Sequence, residues 1–372
     1  MGRLDIGHKD TNGEHEVSKI RVLIVDDSRM IRDVLSDILK EQPDIEVVGT
    51  AADAFEARDR IKDLDPDVIT LDVEMPKMNG LDFLDKLMRA KPMPVVMISS
   101  ATERGSEVTF RALELGAVDF VTKPKLGEQT PDDYGAQIAE KIRAAKSARL
   151  KVPRKANLED TVTLPAPIVK RPVPRGVKTS ERIIAVGAST GGTEAIREFL
   201  VGMPADCPGI VIVQHMPENF TKMFAERLDG LCQITVKEAE HNDPILQGHA
   251  YIAPGGKHLW VKRDEGQLLC KLSTEPPMNL HRPSVDFLFL SCAKFLGADA
   301  VGVIMTGMGK DGAQGMLKMK GAGSHNIAQD EATSVIFGMP REAIELDAVN
   351  EVAPLGKLRE KALAAVRKEM AR

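Results

Sequence analysis

In the first third of the chain, polar side chains recur where short apolar runs stop. Asp26 and Asp27 follow the run 21–25, Asp72 follows 68–71, Ser99 follows 95–98 and Lys123 follows 119–121. Carboxylates gathered this closely repel one another unless a cation lies among them, and an all-oxygen set suits Mg²⁺. A carboxylate beside that ion is a competent nucleophile toward a phosphoryl group, while a lysine neutralises the oxygens in transfer. Each acid alone is explained as a solvated helix cap. Their joint placement at strand ends favours a site.

A second set lies in the other half. Gly187-Ala188-Ser189-Thr190-Gly191-Gly192 follows the apolar run 183–186 and opens a helical pattern. Such a turn leaves helix amides free for an anion, so a phosphate loop is one reading. It lacks a Walker lysine and the G-x-G-x-x-G order. The other reading is a serine nucleophile held at a strand-to-helix turn, akin in mechanics to a nucleophile elbow though not in G-x-S-x-G spelling. Of eight histidines, His215 alone directly follows a buried strand pattern, 210–214, and is the candidate base; His281 precedes a helix and is placed to line the site. Asp311, in Thr306-Gly307-Met308-Gly309-Lys310-Asp311-Gly312, follows the run 300–305. A helix cap explains Asp311 by itself. A Ser, a His and an Asp just past three different strands read better together as a triad.

The elements that would hold these residues alternate as βαβ units. Strands are expected at 21–25, 46–49, 68–71, 95–98 and 119–121, with an amphipathic helix at 29–40 carrying Ile31, Val34, Leu35 and Ile38 on one face. A further helix is expected over 137–150. The second half has strands at 183–186, 210–213, 234–237, 300–305 and 326–328. Its helices are expected at 194–200, 222–228, 285–295, 312–319 and from 358 onward. The fold class is therefore α/β with two doubly wound parallel-sheet domains, the first flavodoxin-like and the second a Rossmann-like three-layer unit. Short strands and turns over 250–272 predict an antiparallel edge on the second sheet.

Between the halves, residues 151–180 hold five prolines and seven basic residues against two acids, a composition that makes no core. The expected division is a polar tail over 1–19, a first α/β domain over 20–145, a linker over 146–180 and a second α/β domain over 181–372. The linker reads as a solvated tether, with docking to an acidic partner as the alternative. A net charge of −5 offers no basic surface for nucleic acid. The tail is too polar for a signal peptide, and the apolar stretch 288–305 is interrupted by Lys294 and Asp299, so no membrane span is expected. Cys207, Cys232, Cys270 and Cys292 have no metal-type spacing and read as thiols of a reducing cytoplasm.

Val-Asp-Asp-Ser at 25–28, Asp72-Val-Glu-Met-Pro76 with Asn79-Gly80, Ser99-Ser100 and Lys123-Pro124 resemble the motif set of response-regulator receiver domains. The resemblance implies that Asp72 accepts a phosphoryl group and that Asp26 and Asp27, with Asp72, hold Mg²⁺. Ser99 and Lys123 would sense the phosphate, and Phe120 would be the aromatic switch. The segments 187–192, 214–217, 253–258, 281–286 and 305–312 resemble the chemotaxis receptor methylesterases, which hydrolyse glutamate methyl esters and deamidate glutamines on chemoreceptors. That resemblance implies Ser189 as nucleophile, His215 as base and Asp311 as its partner. The Met308 amide would be the oxyanion donor, and Thr190 would help to position His215. It also implies no cofactor for the hydrolysis, a histidine kinase as phosphodonor, the cytoplasmic domains of methyl-accepting chemoreceptors as substrates, a monomer and a cytoplasmic location. The unphosphorylated receiver is expected to pack over the carboxyl edge of the hydrolase sheet. Two other classes share these folds: a binding module that sequesters receptors without chemistry, and a nucleotide-binding response regulator using the glycine turn.

Overall fold

The computed structural model describes residues 18–100, 103–123, 130–150 and 178–369, without the side chains of 103–106, 368 and 369. Most of the amino-terminal tail, residues 151–177 and Pro124 lie outside the described residues. The first unit runs β1 (Ile20–Val25), α1 (Arg29–Lys40), β2 (Ile45–Ala51), α2 (Ala54–Leu64), β3 (Val68–Asp72), α3 (Gly80–Ala90), β4 (Val95–Ser99), α4 (Glu103–Glu114), β5 (Asp119–Thr122) and α5 (Pro131–Ser147). Its five strands are parallel in the order β2-β1-β3-β4-β5. Every residue of β3 and β4 is buried, as a sheet covered on both faces requires. Polar caps start the helices. Ser28 accepts from the Ile31 amide, Asn79 from Asp82 and Thr130 from Asp133, with Pro131 in the first turn of α5.

The second unit comprises β6 (Ile183–Ala188), α6 (Gly192–Val201), β7 (Gly209–Gln214), α7 (Phe220–Leu231), β8 (Thr235–Glu238), β9 (His249–Ile252), β10 (His258–Asp264), β11 (Gln267–Ser273), α8 (Val285–Phe295), β12 (Ala300–Ile304), α9 (Ala313–Gly321), β13 (His325–Gln329), α10 (Met339–Glu345), β14 (Glu351–Ala353) and α11 (Leu355–Glu369). Its seven-stranded sheet has the order β14-β13-β12-β6-β7-β9-β8, and all its pairings are parallel. The antiparallel element expected over 250–272 is present, but as a separate two-stranded sheet of β10 and β11. Both edges of the main sheet are parallel strands, because β9 continues the β7 side through a parallel pairing.

Strand order puts a switch point in each sheet. From β1 the first chain winds one way to β2 and the other way through β3, and from β6 the second winds toward β7 and later toward β12. Ligands of open parallel sheets bind in the crevice at the carboxyl ends of such strands. Asp26, Asp27 and Asp72 flank the first crevice, and Ser189 and Asp311 follow the two strands that border the second.

The halves share an apolar seam. Phe110 of α4 stacks on Phe224 of α7 at 5.7 Å, and Phe120 of β5 meets Phe220 at 4.6 Å between ring centroids. Arg227 of α7 pairs with Glu114 of α4. Beyond α5, Arg149 donates its amide to the Val335 carbonyl at 3.0 Å and its guanidinium to Glu331 at 2.6 Å.

Candidate active site

In the receiver unit, one carboxylate oxygen from each of Asp26, Asp27 and Asp72 lies within 4.8 Å of the others. Lys123 Nζ is 2.9 Å from Asp72 and 3.2 Å from Asp26. Burial pushes the Asp72 carboxyl up to about 6 despite the Lys123 hydrogen bond, with the Asp26 charge adding to the rise. Burial likewise raises Asp26, against the pull of Lys123. Asp26 Oδ2 is buried and takes no aligned hydrogen bond, although Lys123 Nζ is at ion-pair distance. An under-neutralised, all-oxygen cluster with one orphaned lone pair fits a hard divalent cation. Ser99 ends β4 on the same edge, and its Oγ accepts from Thr109 Oγ1 at 2.8 Å. Phe120 does not face this cluster. Its ring lies against Phe220 in the seam.

In the second unit, β6 ends in a turn whose Gly191 has φ 77°, a conformation disfavoured for any residue with a Cβ. Ser189 sits on this turn, donating its amide to Thr306 O at 3.0 Å, while its own carbonyl accepts from Gly192 N and Gln214 Nε2. Its hydroxyl is 3.1 Å from His215 Nδ1, and His215 Nε2 is 2.8 Å from Asp311 Oδ2. The imidazole thus presents Nδ1 to the serine and donates its Nε2 proton to the acid.

Asp311 is surrounded by donors. Besides His215 it accepts from Asn279 Nδ2 (2.7 Å), Ser284 Oγ (2.8 Å), Val285 N (2.7 Å) and Asp286 N (3.1 Å). Burial alone would raise this carboxyl, but the His215, Asn279 and Val285 bonds hold it well below the usual carboxylate range. The two amides come from the start of α8, so a helix amino terminus meets the charge. The ring of His281 lies on that of His215, with centroids 3.7 Å apart.

Other expected residues are placed as follows. Met308 follows Gly307, where a Cβ would come within 2.8 Å of Ser189 Cβ, so this glycine lets the β12 loop pass against the Ser189 turn. Thr190 differs from expectation. Its hydroxyl donates to Asp119 of the receiver rather than to His215. The reason is local charge: the buried Asp119 carboxylate also accepts from Lys141 Nζ at 2.9 Å and from the Phe120 amide, and Thr190 lies within its reach. Burial pulls the Lys141 ammonium pKa down, but Asp119 and Glu140 more than restore it. Ser189 and Thr190 are both buried, with the receiver's β5 against their turn and Glu140 of α5 against His281.

Sequence reasoning assigned no role to Asn279, Ser284 or Gln214. Ser284 had a visible signal, an N-cap serine ahead of α8. Asn279 had none, because it approaches Asp311 only through a two-residue turn far from it in sequence.

Residues 184–362 match the CheB methylesterase family, and residues 22–130 match the response regulator receiver domain. A protein from Thiobacillus denitrificans named protein-glutamate methylesterase/protein-glutamine glutaminase is 59% identical over 343 residues, 91% of this chain and 95% of its own. One of the same name, numbered 2, from Cupriavidus pinatubonensis is 56% identical over 348 residues, 93% of this chain and 96% of its own. Among solved structures, the Thermotoga maritima CheB methylesterase catalytic domain is 41% identical, with TM-score 0.48, covering 49% of this chain and 97% of that one. The response regulator domain of Thermotoga maritima CheB is 47% identical, with TM-score 0.32, covering 35% and 98%. With identity above half across nearly the whole of both chains, this chain belongs to the protein-glutamate methylesterase/protein-glutamine glutaminase family, a receiver domain followed by a CheB methylesterase domain.

Proposed function

We propose that this chain is a phosphorylation-activated serine hydrolase that demethylates glutamate methyl esters and deamidates glutamines on the cytoplasmic domains of chemoreceptors, working as a cytoplasmic monomer in chemotactic adaptation. The observation that carries the reading is the hydrogen-bonded chain Ser189–His215–Asp311 across the carboxyl ends of β6, β7 and β12. Ser189 Oγ attacks the ester or amide carbonyl and passes its proton to His215 Nδ1. The same proton goes to the departing methanol or ammonia as the carbonyl–leaving-group bond breaks. Water then attacks the acyl-serine, again losing a proton to Nδ1, which returns it to Ser189 and leaves a glutamate. Asp311 stabilises the imidazolium through Nε2, and the Met308 amide is the oxyanion donor. No cofactor takes part.

The receiver spans 20–145 and the catalytic domain 181–372, joined by a linker over 146–180. Asp72 accepts a phosphoryl group from a chemotaxis histidine kinase. Asp26, Asp27 and Asp72 would hold Mg²⁺, which supplies charge neutralisation for the phosphoryl oxygens. Ser99 and Lys123 sense the phosphorylated state, and Phe120 carries it to the seam with α7. Contacts of Asp119 with Thr190 and Glu140 with His281 support a resting state in which the receiver covers the site.

The test is methanol release from methylated receptor, by wild type and Ser189→Ala, with and without a small phosphodonor and Mg²⁺. Release that rises with donor and disappears in the variant is expected. Release that persists in Ser189→Ala removes the serine from the mechanism. Receptor binding without release by the wild type points instead to a sequestering module.

A further inference from the structure

Residues 278–281 form a tight turn at the mouth of the catalytic half. Met278 and His281 exchange both backbone hydrogen bonds, at 3.1 and 3.0 Å, across Asn279 and Leu280. Both central residues have positive φ, 53° and 68°, as a two-residue turn of this hand demands. Asparagine tolerates that conformation; leucine does not do so readily, and Leu280 is 87% exposed, so no packing of its side chain offsets the strain. Backbone strain of this kind persists where the surroundings impose it, often beside a functional site.

What the turn holds is visible in the side chains of Asn279 and His281. Asn279 Nδ2 donates to Asp311 Oδ1 at 2.7 Å and to Asp286 Oδ2 at 2.8 Å, tying the triad acid to the first turn of α8. His281 lies nearly parallel to His215, at 16° between planes and 3.7 Å between centroids. With Ser189 on Nδ1, Asp311 on Nε2 and His281 on one face, the base has little freedom to rotate.

We propose that His281 is a positioning residue for the hydrolysis, its ring acting as a fixed π platform that orients His215 and stabilises it when it becomes an imidazolium, with Asn279 anchoring the turn that presents it. Four charged or titratable groups face the ring: His215, Asp311, and Glu140 and Lys141 from α5. Burial, then the neighbouring His215 and Lys141, hold His281 far below the usual imidazole range, so the platform is neutral. A cation over a neutral aromatic face is attracted to it, whereas two neutral rings gain less. The interaction therefore strengthens as the proton reaches His215, and such an interaction raises kcat rather than lowering KM.

This inference rests on the triad reading, and its test separates the two. With full-length chain, phosphodonor and Mg²⁺, His281→Ala and His281→Phe are compared with wild type. Methanol release is followed together with the rate at which a fluorophosphonate probe labels Ser189. We expect His281→Ala to lose about 10- to 100-fold in kcat and in labelling, with KM within about twofold. His281→Phe, which keeps the π face and cannot be charged, should stay within about threefold of wild type. Wild-type labelling by His281→Ala overturns the proposal. So does a His281→Phe variant as slow as His281→Ala with an unchanged thermal midpoint, because the platform would then not be the ring face. Ser189-dependent labelling without methanol release by wild type would instead sink the substrate reading, and the His281 comparison would still be read from labelling.

Discussion

At the scale of residues, the two sites treat their carboxylates in opposite ways. Asp311 is buried among donors and stays ionised, as a partner to an imidazolium must. Replacing it with asparagine keeps the shape, but the amide would no longer favour the Nε2–H form of His215. Asp311→Asn is expected to cost about 10⁴ in kcat with substrate binding retained, read from methanol release. Asp72 is buried among like charges. Its folded carboxyl titrates near 6 against 3.8 for the free group, so above pH 6 its charge costs the fold up to about 3 kcal/mol. That cost fades as pH falls through 6 and is gone below 3.8. Asp72→Asn should therefore stabilise the Mg²⁺-free chain by about 1–3 kcal/mol at pH 7.5 and by less at pH 5, measured by urea unfolding in chelator. Equal gains at both pH values would contradict this account of the cluster.

At the scale of elements, the sequence was a good guide wherever period and caps agreed. Helices over Arg29–Lys40 and Val285–Phe295 were expected at the bounds observed, each with a serine cap ahead of a periodic apolar face. The strands that end in Asp72 and lead into His215 and the Asp311 loop were expected to within one or two residues, because fully buried parallel strands are short apolar runs bounded by polar residues. The hairpin of β10 and β11 was legible as strands but not as a separate sheet. Local alternation says nothing about which partner a strand finds. Helix α7 illustrates the limit best. Its periodicity foretold a helix, yet Phe220 and Phe224 turn out to meet the receiver's Phe120 and Phe110. Arg227 lies on that same helix and pairs with Glu114. Arg227→Glu should raise the donor-independent rate several-fold by placing like charges across the seam, and adding Glu114→Arg should return it toward wild type. A double variant as active as Arg227→Glu alone would mean that the pair does not hold the seam.

At the scale of the whole molecule, the receiver reaches the catalytic half with a buried ion pair rather than with apolar surface alone. Lys141 and Asp119 satisfy each other, and Asp119 also takes the Thr190 hydroxyl. Removing one partner of such a pair strands the other charge, at a cost of about 3–5 kcal/mol. Lys141→Met is therefore expected to raise methanol release without phosphodonor and to shrink the stimulation that donor gives, in the same assay. An unaltered basal rate would place the restraint elsewhere. Nothing in the sequence marked this receiver pair as facing the catalytic half, since Lys141 and Asp119 each read locally as an ordinary helix or strand residue.

On the proposed reading, β5 against the Ser189 turn and α5 against His281 make the receiver in effect a competitive inhibitor encoded in the same polypeptide. Short tethers give effective concentrations in the millimolar range, so a dilute substrate would seldom displace it. Moving such an equilibrium from about 1% to about 99% open takes roughly 5.5 kcal/mol of preference for the open form, which phosphorylation and substrate can supply jointly. By linkage, a densely clustered array of substrate sites would itself favour the open enzyme. Hydrolysis would then become more responsive to the signal where substrates are crowded than where they are sparse.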